Sequence, residues 1–125
     1  MRLLADSCVL VWWLGDPASL HRLAREAISD PANEVLFSAA SVWELGLKIR
    51  KGKLRMPANF PEVLIKDGFT PLSVTAEHAA RSLTLAPVHE DPFDRLLIAQ
   101  AITEGFVLVT RDAMIANYPV PVLRA

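Results

Sequence analysis

Cysteine is almost absent from this 125-residue chain. The single one, Cys8, excludes an internal disulfide framework and fits a reducing compartment. No apolar run approaches the length of a membrane span. The N-terminus lacks the basic segment and small-residue cleavage site of a secretory leader. Together these absences predict a cytoplasmic protein with no membrane partner. Charge of one sign is also lacking: 13 Lys and Arg stand against 14 Asp and Glu, a formal net charge of -1. No global field draws the chain to nucleic acid, so any such binding must rest on a local patch. There is no Gly-rich phosphate loop. The histidines His21, His78 and His89 are scattered, and no pair has metal-ligand spacing. No repeat, low-complexity tract or linker interrupts the chain.

What is present is apolar. Hydrophobic residues make up 52% of the chain and the mean hydropathy is +0.29. That is high for a soluble monomer, and predicts that a partner or a second copy covers some of the surface. The length suits one domain, residues 1–125, with enough chain to bury a real core.

Apolar runs alternate with helical periodicity. Arg2 to Asp6 reads as a buried strand ending in a carboxylate, with Ser7 placed to cap the helix Cys8 to Leu14. Apolar positions 20, 23, 24, 27 and 28 give a second helix, and Glu34 to Ser38 a second strand. Ser41 to Lys51 is a helix stopped at Gly52, and Phe60 to Lys66 a short one. Thr70 to Val74 is a third strand and Ala76 to Leu83 a helix. Asp91-Pro92 opens an apolar helix running to Glu104. Phe106 to Thr110 is the clearest strand, Asp112 to Tyr118 a short helix, and Val120 to Leu123 an edge strand. Strands alternating with helices predict a mostly parallel sheet of about five strands, covered on both faces in a three-layer α/β/α sandwich.

Four acids stand at strand ends or helix starts: Asp6, Glu44, Asp94 and Asp112. Each has a plain structural reading. Ser41-x-x-Glu44 has the form of a capping box. Asp94 sits where a helix dipole favours negative charge, after an Asp91 cap. Asp112 can cap its own helix, and Asp6 can make an Asx turn. Together they suggest more. A parallel sheet gathers strand ends and neighbouring helix starts at one edge. Carboxylates packed there repel unless a cation neutralises them. Hard oxygen donors with few histidines favour Mg²⁺ or Mn²⁺ over zinc. Two such ions about 4 Å apart can activate water and stabilise the leaving oxygen of a phosphodiester.

The chain resembles the PIN-domain proteins of the VapC toxin type over nearly its whole length. The resemblance is carried by Arg2-Leu3-Leu4-Ala5-Asp6-Ser7 with Trp12-Trp13-Leu14, by Ser38-Ala39-Ala40-Ser41-Val42-Trp43-Glu44, and by Lys48-Ile49-Arg50-Lys51-Gly52-Lys53-Leu54. It continues through His89-Glu90-Asp91-Pro92-Phe93-Asp94-Arg95-Leu96-Leu97-Ile98-Ala99-Gln100 and Leu108-Val109-Thr110-Arg111-Asp112. It implies a PIN-like fold and a Mg²⁺-dependent endoribonuclease, the toxin of a type II toxin–antitoxin pair. The implied partners are an RNA substrate, a cognate antitoxin, and a homodimer or larger assembly. By position, Asp6, Glu44, Asp94 and Asp112 form the acidic metal site. Asp6 and Asp94 would be direct ligands; Glu44 and Asp112 would act through water or hold a second ion. Asp91 competes with Asp94 but is the better helix cap. The departures are mild: Ser7 for the family's usual Thr, and Ala5 and Cys8 for a larger apolar residue and a His.

Lys48, Arg50, Lys51, Lys53 and Arg55 form the one dense basic run, able to hold an RNA backbone or simply solvated. Ser7, Lys48 and Arg95 are the substrate-binding candidates. Lys48 lies one turn from Glu44, facing the site or making an i,i+4 pair. Arg95 suits a phosphate contact or a salt bridge. Cys8 lies in an apolar run and is expected to pack rather than react. Of adjacent Trp12 and Trp13, one is expected to be exposed and to suit an antitoxin groove. Two other classes share this pattern. A phospho-acceptor receiver needs paired acids after its first strand, yet Asp6 is followed by Ser7, and Val74 and Thr110 by Thr75 and Arg111. A catalytically inactive α/β binding module would not need all four acids.

Overall fold

A strand covered by helices on both sides must be apolar on both of its alternating faces. The computed structural model, which describes residues 1–125, bears this out in the inner strands. Strand β1 (Arg2–Ala5) sends Leu3 and Ala5 to one core and Leu4 to the other. Its neighbours β2 (Glu34–Ser38) and β4 (Val107–Thr110) divide likewise. Val35, Phe37 and Val109 join the first core; Leu36 and Leu108 join the second. The registers Leu4↔Leu36 and Leu4↔Leu108 put like faces side by side.

Five strands pair in parallel in the order β3-β2-β1-β4-β5, with β3 (Thr70–Leu72) and β5 (Val122–Arg124) at the edges. Both edge strands are three residues long, and Pro71 lies within β3, where an edge tolerates a missing donor. Helices α1 (Ser7–Gly15), α2 (Arg22–Ser29), α3 (Ala39–Arg50) and α4 (Phe60–Lys66) contribute to the first core. Helix α6 (Pro92–Glu104) fills the second, with α5 (Ala76–Thr84) packed on it. Five consecutive α6 residues, Leu97 to Ala101, are buried, as expected of a helix enclosed all round. This is the three-layer sandwich the sequence predicts. No helix is long and apolar enough to cross a membrane.

Element ends shift by a residue or two. The third strand stops at Leu72 rather than Val74, because only residues 70–72 find partners on β2. The last strand begins at Val122 rather than Val120, which is buried in the second core. Asp6, not Ser7, caps α1: its Oδ1 accepts from the Val9 N–H at 2.9 Å. The Ser41–Glu44 capping box is absent. Ser38 caps α3 by accepting from Ala40 N–H at 3.0 Å, which places Ser41 and Glu44 inside the helix with their side chains buried.

Candidate active site

The chain runs outward from β1 to β2 to β3, then returns to place β4 on the other side of β1. The strand order therefore reverses between β1 and β4, and a crevice opens there beyond their carboxyl ends. Asp6 follows β1 and Asp112 follows β4. Glu44 reaches the crevice from α3 and Asp94 from the first turn of α6. A cavity of about 200 Å³ is lined by all four, with Ser7, Cys8, Trp12, Lys48, Asp91 and Arg111. The four predicted acids thus converge.

Each acid is held by neighbours. Thr110 donates its hydroxyl to Asp6 Oδ2 at 2.6 Å, a bond between the ends of the two strands that flank the crevice. Glu44 is 8% exposed; Oε1 accepts from Ser7 Oγ at 2.6 Å, and Oε2 lies 3.3 Å from Lys48 Nζ. Lys48 thus both faces the cavity and makes the i,i+4 pair. Asp112 caps the 3-10 turn Ala113–Asn117, Oδ1 accepting from Met114 N–H at 2.9 Å. Its Oδ2 lies 2.7 Å from His89 Nε2, and Asp94 Oδ2 lies 3.1 Å from the same atom. His89 Nδ1 accepts from Asp91 N–H at 3.2 Å, so the ring proton belongs on Nε2, between the two carboxylates. Asp91 caps α6 through Phe93 N–H, as expected.

Five carboxylates line the cavity against two cations, Lys48 and Arg111. Arg111 is turned away: it donates to the Ala125 and Ser19 carbonyls and lies 4.0 Å over the Trp12 ring. Burial, and after it this excess charge, shows in the titration of the acids. Asp94 is pushed up to about 7, first by desolvation and then by Asp91, against the lowering effect of His89. Asp6 is raised by burial, which outweighs its bonds from Thr110 and Val9; Glu44 and Asp112 push the same way. Such a set of oxygen donors fits a hard divalent cation. His89, Asp94 and Asp112 alone offer ligand atoms within 4.8 Å of one another. His89 is a poor ligand as placed, because metal-bound histidine usually donates through its other nitrogen and this one accepts there.

The family model for the PIN domain matches residues 3–121. The chain belongs to the PIN-domain family. Within it the chain is of the VapC type. It is 30% identical over 121 residues to ribonuclease VapC22 of Mycobacterium tuberculosis, covering 94% of this chain and 92% of that one. Among solved structures, VapBC2 from Rickettsia felis, bound to a DNA fragment from their promoter, superposes with a TM-score of 0.77. The identity is 14%, and the match covers 99% of this chain and 98% of that one. VapC20 of Mycobacterium tuberculosis, a sarcin-ricin loop cleaving toxin, gives 0.67 at 17% identity, over 98% and 99% of the two chains. At these identities the two structural likenesses concern the fold alone.

Other residues of this PIN domain fall differently from their sequence reading. Cys8 is exposed at the cavity wall instead of packed; partial desolvation of its thiol by the cavity wall and then the charge of Asp6 push its pKa up, which disfavours the thiolate. Trp12 and Trp13 are both half-buried, Trp12 under Arg111 and Trp13 donating to Asp67 at 3.1 Å. The exposed tryptophan is Trp43, 62% accessible and edge-on to Phe93 at 5.4 Å. His89, Thr110 and Arg111 were not singled out in the sequence, and they hold Asp94, Asp112, Asp6 and Trp12.

Arg95 makes no ion pair and does not line the acidic cavity. Its guanidinium donates to four carbonyls, Ser82, Leu85, Ala86 and His89, at 2.8–3.0 Å. It clamps the connection between α5 and α6 that carries His89. Arg95→Ala is therefore expected to lower unfolding stability by roughly 2 kcal/mol, as charged hydrogen bonds to four partly exposed carbonyls are lost. Arg95→Lys should recover little, since an ammonium cannot span the four acceptors. Urea denaturation measures both; a full-stability Arg95→Ala protein with weakened RNA binding would return Arg95 to a substrate role.

Proposed function

We propose that the chain is a divalent-metal-dependent endoribonuclease, the toxin of a type II toxin–antitoxin pair, acting in the cytoplasm as a single domain over residues 1–125. The reading is carried by one observation: Asp6, Glu44, Asp94 and Asp112 meet in one cleft where burial, and then the charge of neighbouring acids, pushes Asp94 up to about 7. Likeness to a relative named a ribonuclease, and to solved toxin–antitoxin complexes, supports it. The expected partners are an RNA substrate, a cognate antitoxin and a second copy of the chain.

Asp6 and Asp94 would hold Mg²⁺, or Mn²⁺, directly. Glu44 and Asp112 would reach it through water or share a second ion. The bound ion supplies charge neutralisation and an activated water for phosphodiester hydrolysis. The chain's own residues set the stage. Thr110 fixes the rotamer of Asp6, Ser7 that of Glu44, and the His89 Nε2–H bridges Asp94 and Asp112. Lys48 stands ready for a phosphate oxygen once Glu44 is otherwise engaged. Incubated with single-stranded RNA, the purified chain should cut it in Mg²⁺, stop on adding chelator, and resume when excess Mg²⁺ returns. Cleavage that ignores chelator would sink the metal reading.

A further inference from the structure

Beside the acidic cleft lies a second cavity, of about 330 Å³, which nothing above explains. Its walls are Cys8, Val11, Trp12, Leu45 and Leu54. It shares Ser7, Cys8, Trp12 and Lys48 with the acidic cleft, so the two lie side by side. Trp12 lines both; Arg111 lies over its ring and lines only the acidic side. The indole is thus braced, with an apolar chamber beside it.

The rim of this chamber is cationic because of how α3 ends. Lys53 N–H donates to the Lys48 carbonyl at 2.9 Å, Gly52 N–H to that of Ile49 at 3.0 Å, and Gly52 has φ +72°. This is a Schellman cap, and glycine alone takes that backbone freely. Such a cap ordinarily brings together two apolar side chains at the positions held here by Lys48 and Lys53. Here the turn brings two lysines to the lining of one cavity, Lys48 with its Nζ 3.3 Å from Glu44 Oε2 and Lys53 with no acid partner. An anion at the rim would meet the charge of Lys53 and, beside it, that of Lys48. A ligand that fits has a flat apolar body, an anionic link, and a neighbouring phosphate one step away.

We propose that this cavity is a nucleobase pocket for single-stranded RNA. It takes the base of the nucleotide adjacent to the phosphate in the acidic cleft, with Lys48 and Lys53 on the intervening backbone. The inference rests on the ribonuclease reading and names how its substrate is held. Stacking on an aromatic wall is sequence-tolerant, because every base has a π-face.

The test uses the full chain and a fluorescent single-stranded RNA octamer, with chelator present so that none is cut. Trp12→Leu should weaken binding about tenfold while Trp12→Phe stays near wild type, separating loss of the stacking face from loss of folding. Lys53→Ala should make the salt dependence shallower by about 0.7 in log–log slope. Calorimetry of Mg²⁺ binding to each variant should match wild type, since neither residue is a proposed ligand. Equal affinities and slopes in all variants would overturn the pocket, leave the nuclease reading intact, and give the cavity to an apolar side chain of a protein partner. A wild-type chain that neither binds nor cuts RNA would remove both.

Discussion

Asp94→Asn is expected to reduce RNA cleavage by at least about a hundredfold, the scale on which removal of a transition-state electrostatic contact acts. The same change should stabilise the metal-free fold at pH 8. Asp94 is raised in the folded state from 3.8 to about 7, so the folded protein binds a proton that the unfolded chain releases. Stability from this group is full below pH 3.8 and is lost as pH rises through 7. At pH 8 the carboxylate is forced to ionise beside Asp91, Asp6 and Glu44. Asparagine keeps the shape and carries no charge, so the variant should melt higher than wild type at pH 8 in chelator, with the difference vanishing near pH 4. A slow, destabilised variant would mean instead that Asp94 supports the fold. An active one would remove it from the site.

The second large effect is on wild type. A divalent cation that binds only the folded cleft, present at about a hundred times its dissociation constant, adds about 2.7 kcal/mol. For a chain of this size that should raise the melting temperature by roughly 10 °C. With Asp94 as a ligand, as proposed, binding should release a proton below pH 7, and affinity should fall about tenfold per unit as pH drops further. Calorimetry in two buffers of different ionisation enthalpy counts that proton. Binding that is indifferent to pH between 5 and 7 would show that Asp94 is not a ligand, whatever its neighbours do.

The acids themselves were readable because their types and positions are chemical signals: a carboxylate at a strand end or helix start stands out in an apolar run. The layer architecture was readable for the same reason, since Leu3, Leu4, Leu36, Leu108 and their like can only be buried on two faces. What holds the acids was not. Thr110 reaches Asp6 only because β4 returns to lie beside β1, and strand order is not written in either segment. His89 looked like one scattered histidine among three because its partners lie 5 and 23 residues on. The role of Arg95 is illegible in sequence because its four acceptors are backbone carbonyls, which no sequence marks. His78, by contrast, is structural: Nδ1 accepts from Thr75 N–H at 3.0 Å, and Nε2 lies 2.8 Å from Glu104 between α5 and α6.

The position of β4 between β1 and β5 has a consequence during synthesis. The cleft needs Thr110 and Asp112, and both are made after Asp6, Glu44 and Asp94. Until then β1 lacks the neighbour that orients Asp6, so the growing chain carries its first three acids without a finished place to put them. A polypeptide of this topology cannot assemble its acidic cleft until β4 has been made and has docked beside β1.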